Sequence, residues 1–554
     1  MPQNRFRLIF AAFIFFHVSL VVVLPRGTMA GKRESYNEIP PATRGPAGGA
    51  APPQPRQPEM SPARTVTVDA AVDSLGTGRF QLRILFAAGL CFAADSMEIM
   101  LLSFLSTILR AQWDLTDAQT ATITGVVFLG ALSGTLVLGP LGDRRGRRPV
   151  FLACGTIISV FGTLTAVAWD YPSLLATRFL VGFGVGGLTV PFDILAEFVP
   201  TEVRGRYLLL IEFFWTAGSM AVPAVAWLTV GSGHSWQIFV MVCAIPCLAS
   251  LLLGAWLVPE SPRWLLSRGR GGDALLVLRA AAASNGIDPD ALFPPGTALM
   301  EVEVEVEVEV EAEGDGRSGL QELLSARWRR TTLLIWGAWL GFAFGYYGTI
   351  IAVTRVFEVD AEEGGGGNGN GNGDVDFDYG AIFISSSAEI VGTALVVFLV
   401  DRVGRIRSQV AAYIIGGICL SLLCFFGESE FGSRPFLLSM AFGARVCEMM
   451  GSCVTWVTTA EVLPTEIRAT GHSAANAVAR FGGFFSPYLV GAGVPLPAVG
   501  GIMLFIHAAT ALCASKLPET KGKRLGHGAP TGPDGGQSET ELAAAPSDQS
   551  GFLA

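Results

Sequence analysis

The sequence predicts an all-α membrane protein, with twelve transmembrane helices in two six-helix bundles. Three observations carry this. About twelve apolar stretches, each roughly 18–26 residues long, lie between Phe80 and Lys516, and about 20 apolar residues cross a bilayer core. The chain is 51% hydrophobic and only 15% charged, with mean hydropathy +0.48. The connections also repeat one charged signature in both halves. GPLGDRRGRRPV (139–150), AEFVPTEVRGR (196–206) and VPESPRWLL (258–266) are answered by FLVDRVGRIRS (398–408), AEVLPTEIRATG (460–471) and LPETKGKRL (517–525). The offsets agree: Asp143 to Asp401 is 258, Glu197 to Glu461 is 264, and Pro259 to Pro518 is 259. A duplicated unit with charges at corresponding ends builds two related bundles.

In chain order, residues 1–79 form an N-terminal segment. Arg5 and Arg7 precede an apolar run, Leu8 to Leu24, and Thr28-Met29-Ala30 follows. That layout suits a cleaved signal, an extra span, or a start placed upstream of Met29 or Met60. Residues 31–79 are rich in Pro, Gly and Arg with little periodicity, which predicts a disordered cytoplasmic arm. The N-terminal bundle, 80–266, holds spans near 84–109, 119–139, 150–169, 173–196, 207–230 and 236–258. Backbone groups in lipid must be satisfied within the segment, so these are helices.

The cytoplasmic linker, 267–330, contains EVEVEVEVEVEAE. Strict alternation suits a strand; a charge at every second residue and no apolar partner favour disorder. SGLQELLSARWRR reads as a short interfacial helix. The C-terminal bundle, 331–525, holds spans near 331–355, 379–400, 409–427, 434–459, 471–494 and 497–516. GGGGNGNGNG (364–373) is a flexible external loop, and 526–554 a disordered cytoplasmic tail.

Lys and Arg gather in the loops after spans two, four, six, eight, ten and twelve and are scarce in the others. The positive-inside rule places loops 2–3, 4–5, 6–7, 8–9, 10–11 and the C-terminus in the cytoplasm. The expected location is the plasma membrane or an internal vesicle or vacuole membrane, with the chain functional as a monomer in the lipid bilayer. The net charge of −9 comes largely from Glu301 to Glu313 and Glu358 to Asp378, so no nucleic-acid partner is expected. All nine cysteines fall within spans without metal-ligand spacing, which suits apolar packing. No Gly-x-x-x-x-Gly-Lys-Ser/Thr, His-Glu-x-x-His or Gly-x-Ser-x-Gly pattern is present, and His472 and His507 stand isolated. ATP drive, enzymatic activity, catalytic residues, metals and cofactors are therefore not expected.

The turn GPLGDRRGRRPV permits a tight reversal at Gly142 and Gly146. Its Asp143 can face a helix N-terminus. With Glu-x-x-Pro-x-x-x-Arg after spans four and ten, PESPRW and PETKG, it resembles the sugar-porter group of the major facilitator superfamily, over about residues 80–525. The resemblance implies a secondary transporter working by alternating access. It also implies cytoplasmic charge networks of Asp143, Arg147, Glu197, Arg204, Glu260, Arg263, Asp401, Arg405, Glu461, Arg468 and Glu519, made in the outward-facing state and broken in the inward-facing one.

Charges within spans cost several kcal/mol unless paired or facing a cavity. Here they are Asp95, Glu98, Arg178, Asp193, Glu212, Glu389, Arg445, Glu448 and Arg480. A structural salt bridge is open for each; their spread across spans argues for a polar central pathway. By resemblance to proton-coupled sugar porters, Asp95 and Arg178 form a protonation-dependent pair. The chain departs from the sugar-porter pattern at Tyr346 and Tyr347, where a Gln pair is usual, and at Glu212, while Trp456 is kept. ADSMEIMLLSFL, LLIEFFW, YYG and Ser387 to Glu389 look closer to the synaptic-vesicle-glycoprotein-related and organic-ion carrier branch. Aromatic rings with carboxylates suit a cation; the arginines suit a carboxylate. Tyr346 and Tyr347 fit packing equally well. The expectation is a transporter of a small polar or ionic organic solute, proton-coupled, an organic cation slightly favoured. A sugar or small carboxylate, or a non-transporting receptor or scaffold of the same fold, are the alternatives.

Overall fold

The computed structural model describes residues 65–521, apart from 188, 301–318, 360–375, 430–431 and 492. The apolar run at Leu8 to Leu24, the glutamate–valine repeat, the Gly/Asn loop and the tail after Leu525 lie outside the described residues. β1 (Thr65–Thr67) and α1 (Val68–Ser74) precede the first bundle: α2 (Arg79–Trp113), α3 (Asp117–Arg145), α4 (Arg147–Thr165), α5 (Tyr171–Val185) with α6 (Thr189–Phe198), α7 (Arg204–Thr229) and α8 (Trp236–Leu257). The linker holds α9 (Pro262–Ser267), α10 (Gly271–Ser284), α11 (Pro289–Leu292), β2 (Ala298–Met300) and α12 (Gly319–Leu323). The second bundle is α13 (Arg329–Val356), α14 (Tyr379–Val403), α15 (Arg405–Phe426), α16 (Arg434–Val462), α17 (Thr465–Val490) and α18 (Leu496–Ser515). Among the described residues, eleven helical spans are long and apolar enough to cross a membrane, α5 and α6 counting together. α17, with Arg468, His472 and Arg480 along it, is the more polar twelfth.

The expected helices end where local chemistry says they should. Thr116 caps α3 reciprocally with Gln119, and Asp170 caps α5 by accepting the Ser173 backbone N–H at 2.9 Å. α3 and α5 touch backbone to backbone. A Cβ at Gly134 would sit 2.0 Å from the Phe183 carbonyl oxygen, and one at Gly182 2.0 Å from that of Val127. This is small-residue packing of the kind that holds membrane helices together.

The arm is not disordered throughout. β1 pairs in parallel with β2, Thr65 opposite Ala298 and Thr67 opposite Met300. α1 buries Val68, Ala71 and Val72 in one apolar cluster with Leu278, Ala281 and Ala282 of α10. Asn285 fixes the junction by accepting the Phe80 N–H at 2.9 Å and donating to the Gln81 side chain at 2.9 Å. The composition of residues 31–79 concealed this, because the partner surface lies more than 200 residues away.

The core is divided unevenly. At the end opposite the basic turns, one apolar cluster joins both bundles, with Phe104, Phe239, Ile350, Leu420 and Val490 among its members. Toward the basic turns each bundle keeps its own cluster, one around Phe151 and Phe198, the other around Trp339 and Leu463. Polar and aromatic contacts also join the bundles at the end opposite the basic turns. Thr354 Oγ1 donates to Ser103 Oγ at 3.0 Å, Tyr488 OH to Thr122 Oγ1 at 3.1 Å, and Phe104 stacks on Tyr379 with centroids 6.3 Å apart. The bundles are sealed together at that end.

Candidate functional site

Midway along the helices the two bundles meet in a buried polar cluster. On α13, Tyr346 donates its hydroxyl proton to Glu389 Oε1 at 2.8 Å and accepts the indole N–H of Trp215 at 2.6 Å. On α16, Arg445 lies 3.5 Å from Glu389 and donates through Nη2 to Ser219 and Ser386, each at 2.9 Å. Trp215 and Ser219 belong to α7 of the first bundle; Tyr346, Ser386, Glu389 and Arg445 belong to the second. Glu389 and Arg445 are almost wholly enclosed, yet among the described residues Glu389 Oε2 and Arg445 Nε and Nη1 have no hydrogen-bond partner. Buried polar atoms are rarely left so. Glu212, half-buried one turn before Trp215, interacts electrostatically with Glu389.

The second set surrounds α2. Arg178 pairs with Glu98 at 2.8 Å and donates through Nε and Nη2 to Thr165 Oγ1 at 3.1 and 2.8 Å. The expected Asp95–Arg178 pair is therefore corrected. Asp95 and Glu98 share a helix face, and the side chain that Arg178 extends from α5 ends at Glu98. Asp95 instead interacts across the bundles with Arg480 of α17, and among the described residues its Oδ1 has no hydrogen-bond partner. Arg480 also engages the Tyr347 hydroxyl, and the Tyr347 ring packs on Phe128 at 4.5 Å. Trp456 joins a ring cluster with Trp339 at 4.8 Å, His472 at 4.7 Å and Phe192 at 6.3 Å.

Asp193 is not part of the central cluster; α6 carries it to the basic end, where it accepts from Arg147 at 3.2 Å. Arg147 also lies 3.0 Å from Asp143 and 3.7 Å from Glu197. The second half repeats this. Arg405 lies 2.9 Å from Asp401 and grips Glu461 with Nε and Nη2, each at 3.0 Å. Gly146 and Gly404 turn the chain with φ +108° and +104°. In each turn a glutamate caps the next helix. Glu260 accepts the N–H groups of Arg147 and Arg148 at 2.9 and 3.2 Å, and Glu519 those of Arg405 and Ile406 at 2.9 and 3.1 Å. Burial opposes ionisation of Glu519, but the N–H groups of Arg405, Lys521, Ile406 and Thr520 outweigh it and hold the carboxyl below its ordinary range.

Three of the expected network arginines go elsewhere. Arg263 pairs with Asp69 of α1, Arg204 lies 3.9 Å from the same carboxylate, and Arg468 donates to the Leu463 carbonyl at 3.1 Å. Among the described residues, no ion pair joins the two networks; each closes within its own bundle while the opposite end is sealed. Each network therefore ties together helices of a single bundle.

Sequence reasoning missed Trp215, Ser219, Ser386, Thr165 and Asp69. The only available signal was a Ser one turn from an intramembrane charge, at Ser386 before Glu389. It also read His507 as isolated. Its ring nitrogen Nε2 in fact contacts Glu448 Oε1, and Thr349 Oγ1 lies 3.4 Å from the same oxygen.

Two bundles of six helices around a buried polar interface define a transporter of the major facilitator fold. The family model described as "Sugar (and other) transporter" matches residues 93–528, and the chain belongs to that family. It is 31% identical over 490 residues to organic cation/carnitine transporter 7 of Arabidopsis thaliana, covering 83% of this chain and 95% of that one. It is also 31% identical to the synaptic vesicle 2-related protein of Rattus norvegicus, covering 83% and 82%. The partially occluded inward-open conformation of the E. coli xylose transporter XylE superposes with TM-score 0.60 at 18% identity, covering 80% of this chain and 100% of that one; this likeness concerns the fold.

Proposed function

We propose that this chain moves a small ionic organic solute by alternating access, driven by protons, and that an organic cation is favoured. The observation that carries this is the enclosed Glu389 with an unpartnered oxygen, beside Glu212 and the rings of Tyr346 and Trp215. A cation placed there meets carboxylate charge and aromatic faces together. The similarity to a relative named as an organic cation transporter supports the same reading. Arg445, with Nε and Nη1 unpartnered, favours a second reading in which a carboxylate occupies the site.

With the basic loops in the cytoplasm, the sealed end is external and the conformation faces inward. The charge networks then act as staples that keep each bundle rigid during rocking. Asp95, facing Arg480 across the bundles, is the candidate coupling acid. The chain works as a monomer in the plasma membrane or a vesicle or vacuole membrane.

The test is uptake into proteoliposomes from a mixed library of organic cations, carboxylates and sugars, with and without an imposed pH gradient. Accumulation of a cation that collapses without the gradient is expected. Asp95→Asn should abolish uphill accumulation while sparing counterflow; unchanged uphill transport in that variant would sink the coupling assignment. Absence of uptake for every solute would favour the receptor or scaffold reading.

A further inference from the structure

The second bundle encloses another titratable pair that the reading above does not use. Glu448 on α16 and His507 on α18 contact each other with both side chains about 2% exposed. His507 Nδ1 lies 2.6 Å from the Met503 carbonyl oxygen. A carbonyl oxygen only accepts, so Nδ1 carries hydrogen and the free ring valence is Nε2, which faces Glu448 Oε1. If Glu448 were ionised and the ring neutral, two lone pairs would meet at contact distance. One more proton must lie between them, either as imidazolium against carboxylate or as neutral ring against carboxylic acid. Both forms leave the pair neutral overall.

The surroundings supply no other cation to the pair. Among the described residues, no arginine or lysine pairs with Glu448, and its Oε2 has no partner. From α13 the pair meets Gly345 and Thr349; from α15 it meets Gly417 and Tyr413, whose ring is 6.5 Å from that of His507. Cys447 and Tyr413 are the neighbouring titratable groups within electrostatic range. The site is fitted to the imidazole: a Cβ at Gly417 would lie 2.7 Å from His507 Cβ, and one at Gly345 3.2 Å from its Nε2. The pair also adjoins the central cluster. Arg445 precedes Glu448 by one turn on α16, and Tyr346 precedes Thr349 by one turn on α13. Both Arg445 and Tyr346 hold Glu389.

We propose that Glu448 and His507 form a proton-binding site in the second bundle, and that release of its proton breaks the side-chain contact that joins α18 to α16 beside the substrate cluster. Binding adds one proton to the pair, and release returns it to water, leaving Glu448 negative and the ring neutral. The proposed role in coupling rests on the transport reading; the existence of the site does not.

Two measurements keep these apart. The five histidines can be followed by nitrogen NMR on the 15N-histidine-labelled full chain in lipid nanodiscs, with His507 assigned by its loss in His507→Gln. The expected wild-type signal has Nδ1 protonated and a proton shared between Nε2 and the carboxyl. In Glu448→Gln the shared proton should vanish, leaving hydrogen on Nδ1 alone. A bare Nδ1, or a His507 signal indifferent to Glu448→Gln, would overturn the site. If Glu448→Gln fails to fold, Glu448→Asp serves, with a lengthened or broken proton contact expected. In proteoliposomes, gradient-driven accumulation should fall at least tenfold in Glu448→Gln, and undiminished accumulation would overturn the coupling role. A wild-type chain that accumulates nothing would defeat the transport reading, while the NMR result would still decide the site.

Discussion

Arg178 and Arg445 sit on the fourth span of each half, and each pairs with a buried glutamate, but they are finished differently. Arg178 commits all three of its nitrogens inside the first bundle, to Glu98 and Thr165. Arg445 reaches across to Ser219 of the other bundle and leaves Nε and Nη1 idle, while Glu389 leaves Oε2 idle. A satisfied buried pair holds a structure in one arrangement. A half-satisfied pair at a moving interface leaves hydrogen-bonding capacity that a ligand can complete. The same chemistry has become a rivet in one half and a socket in the other.

The largest effect should come from breaking the rivet. Arg178→Ala leaves Glu98 enclosed without its ion-pair partner, with a cost of about 3–5 kcal/mol, visible as a large drop in thermal unfolding temperature in detergent. Arg445→Ala should cost markedly less stability, because Glu389 keeps the Tyr346 hydroxyl and the capacity was never filled. Equal destabilisation by the two variants would remove the distinction.

The socket is probed by charge. Glu212→Gln and Glu389→Gln should each weaken binding of a cationic solute by roughly 1.5–3 kcal/mol, or about ten- to a hundredfold, measured in detergent at fixed pH. A carboxylate solute should bind as well or better once the repulsion is gone. Weakening confined to neutral sugars would reject the cation reading.

The basic turns supply the control, since there the two halves are alike. A Cβ at Gly146 would lie 2.2 Å from Glu260 Oε2, and one at Gly404 2.6 Å from Glu519 Oε2, at φ values that L side chains avoid. Gly146→Ala and Gly404→Ala should therefore each cost about 1–3 kcal/mol, and by similar amounts. A large asymmetry in melting temperature would show that the turns are not equivalent supports.

The smallest effect is the pH response of the second turn. The Glu519 carboxyl is held below its ordinary value of 4.5, so its ionised form is the one the fold prefers. Its stabilisation is present above pH 4.5 and is lost as pH falls through the depressed folded value. Glu519→Gln should flatten the acid limb of a melting-temperature profile by lowering the plateau above pH 4.5 slightly, while the acid end stays near that of the parent.

Much of this was legible along the chain. The spans, the duplicated turns and the positions of Asp143, Arg147, Glu197 and Glu260 and their counterparts follow from hydropathy and local motifs, because helix length and turn chemistry are local. The intramembrane charges were also visible, since each is costly where it stands. Their partners were not. Asp95 and Glu98 lie three apart on one helix face, so nothing local gives Arg178 to one rather than the other. Asp193 reads as an intramembrane acid until the break between α5 and α6 places it beside Arg147.

The sequence by itself determined twelve helical spans, two related halves, the basic turns and a set of charges in the membrane, all dictated by short-range periodicity and the intolerance of lipid for unpaired polar groups. Only the tertiary structure decided which charges meet: Arg178 with Glu98 across 80 residues, Arg445 with Glu389 across 56, and His507 with Glu448 across 59. Such pairings depend on the height and rotation at which one helix packs on another. Those quantities are fixed by close approach at glycines and by the whole shape of the core, and no repeat in the chain encodes them.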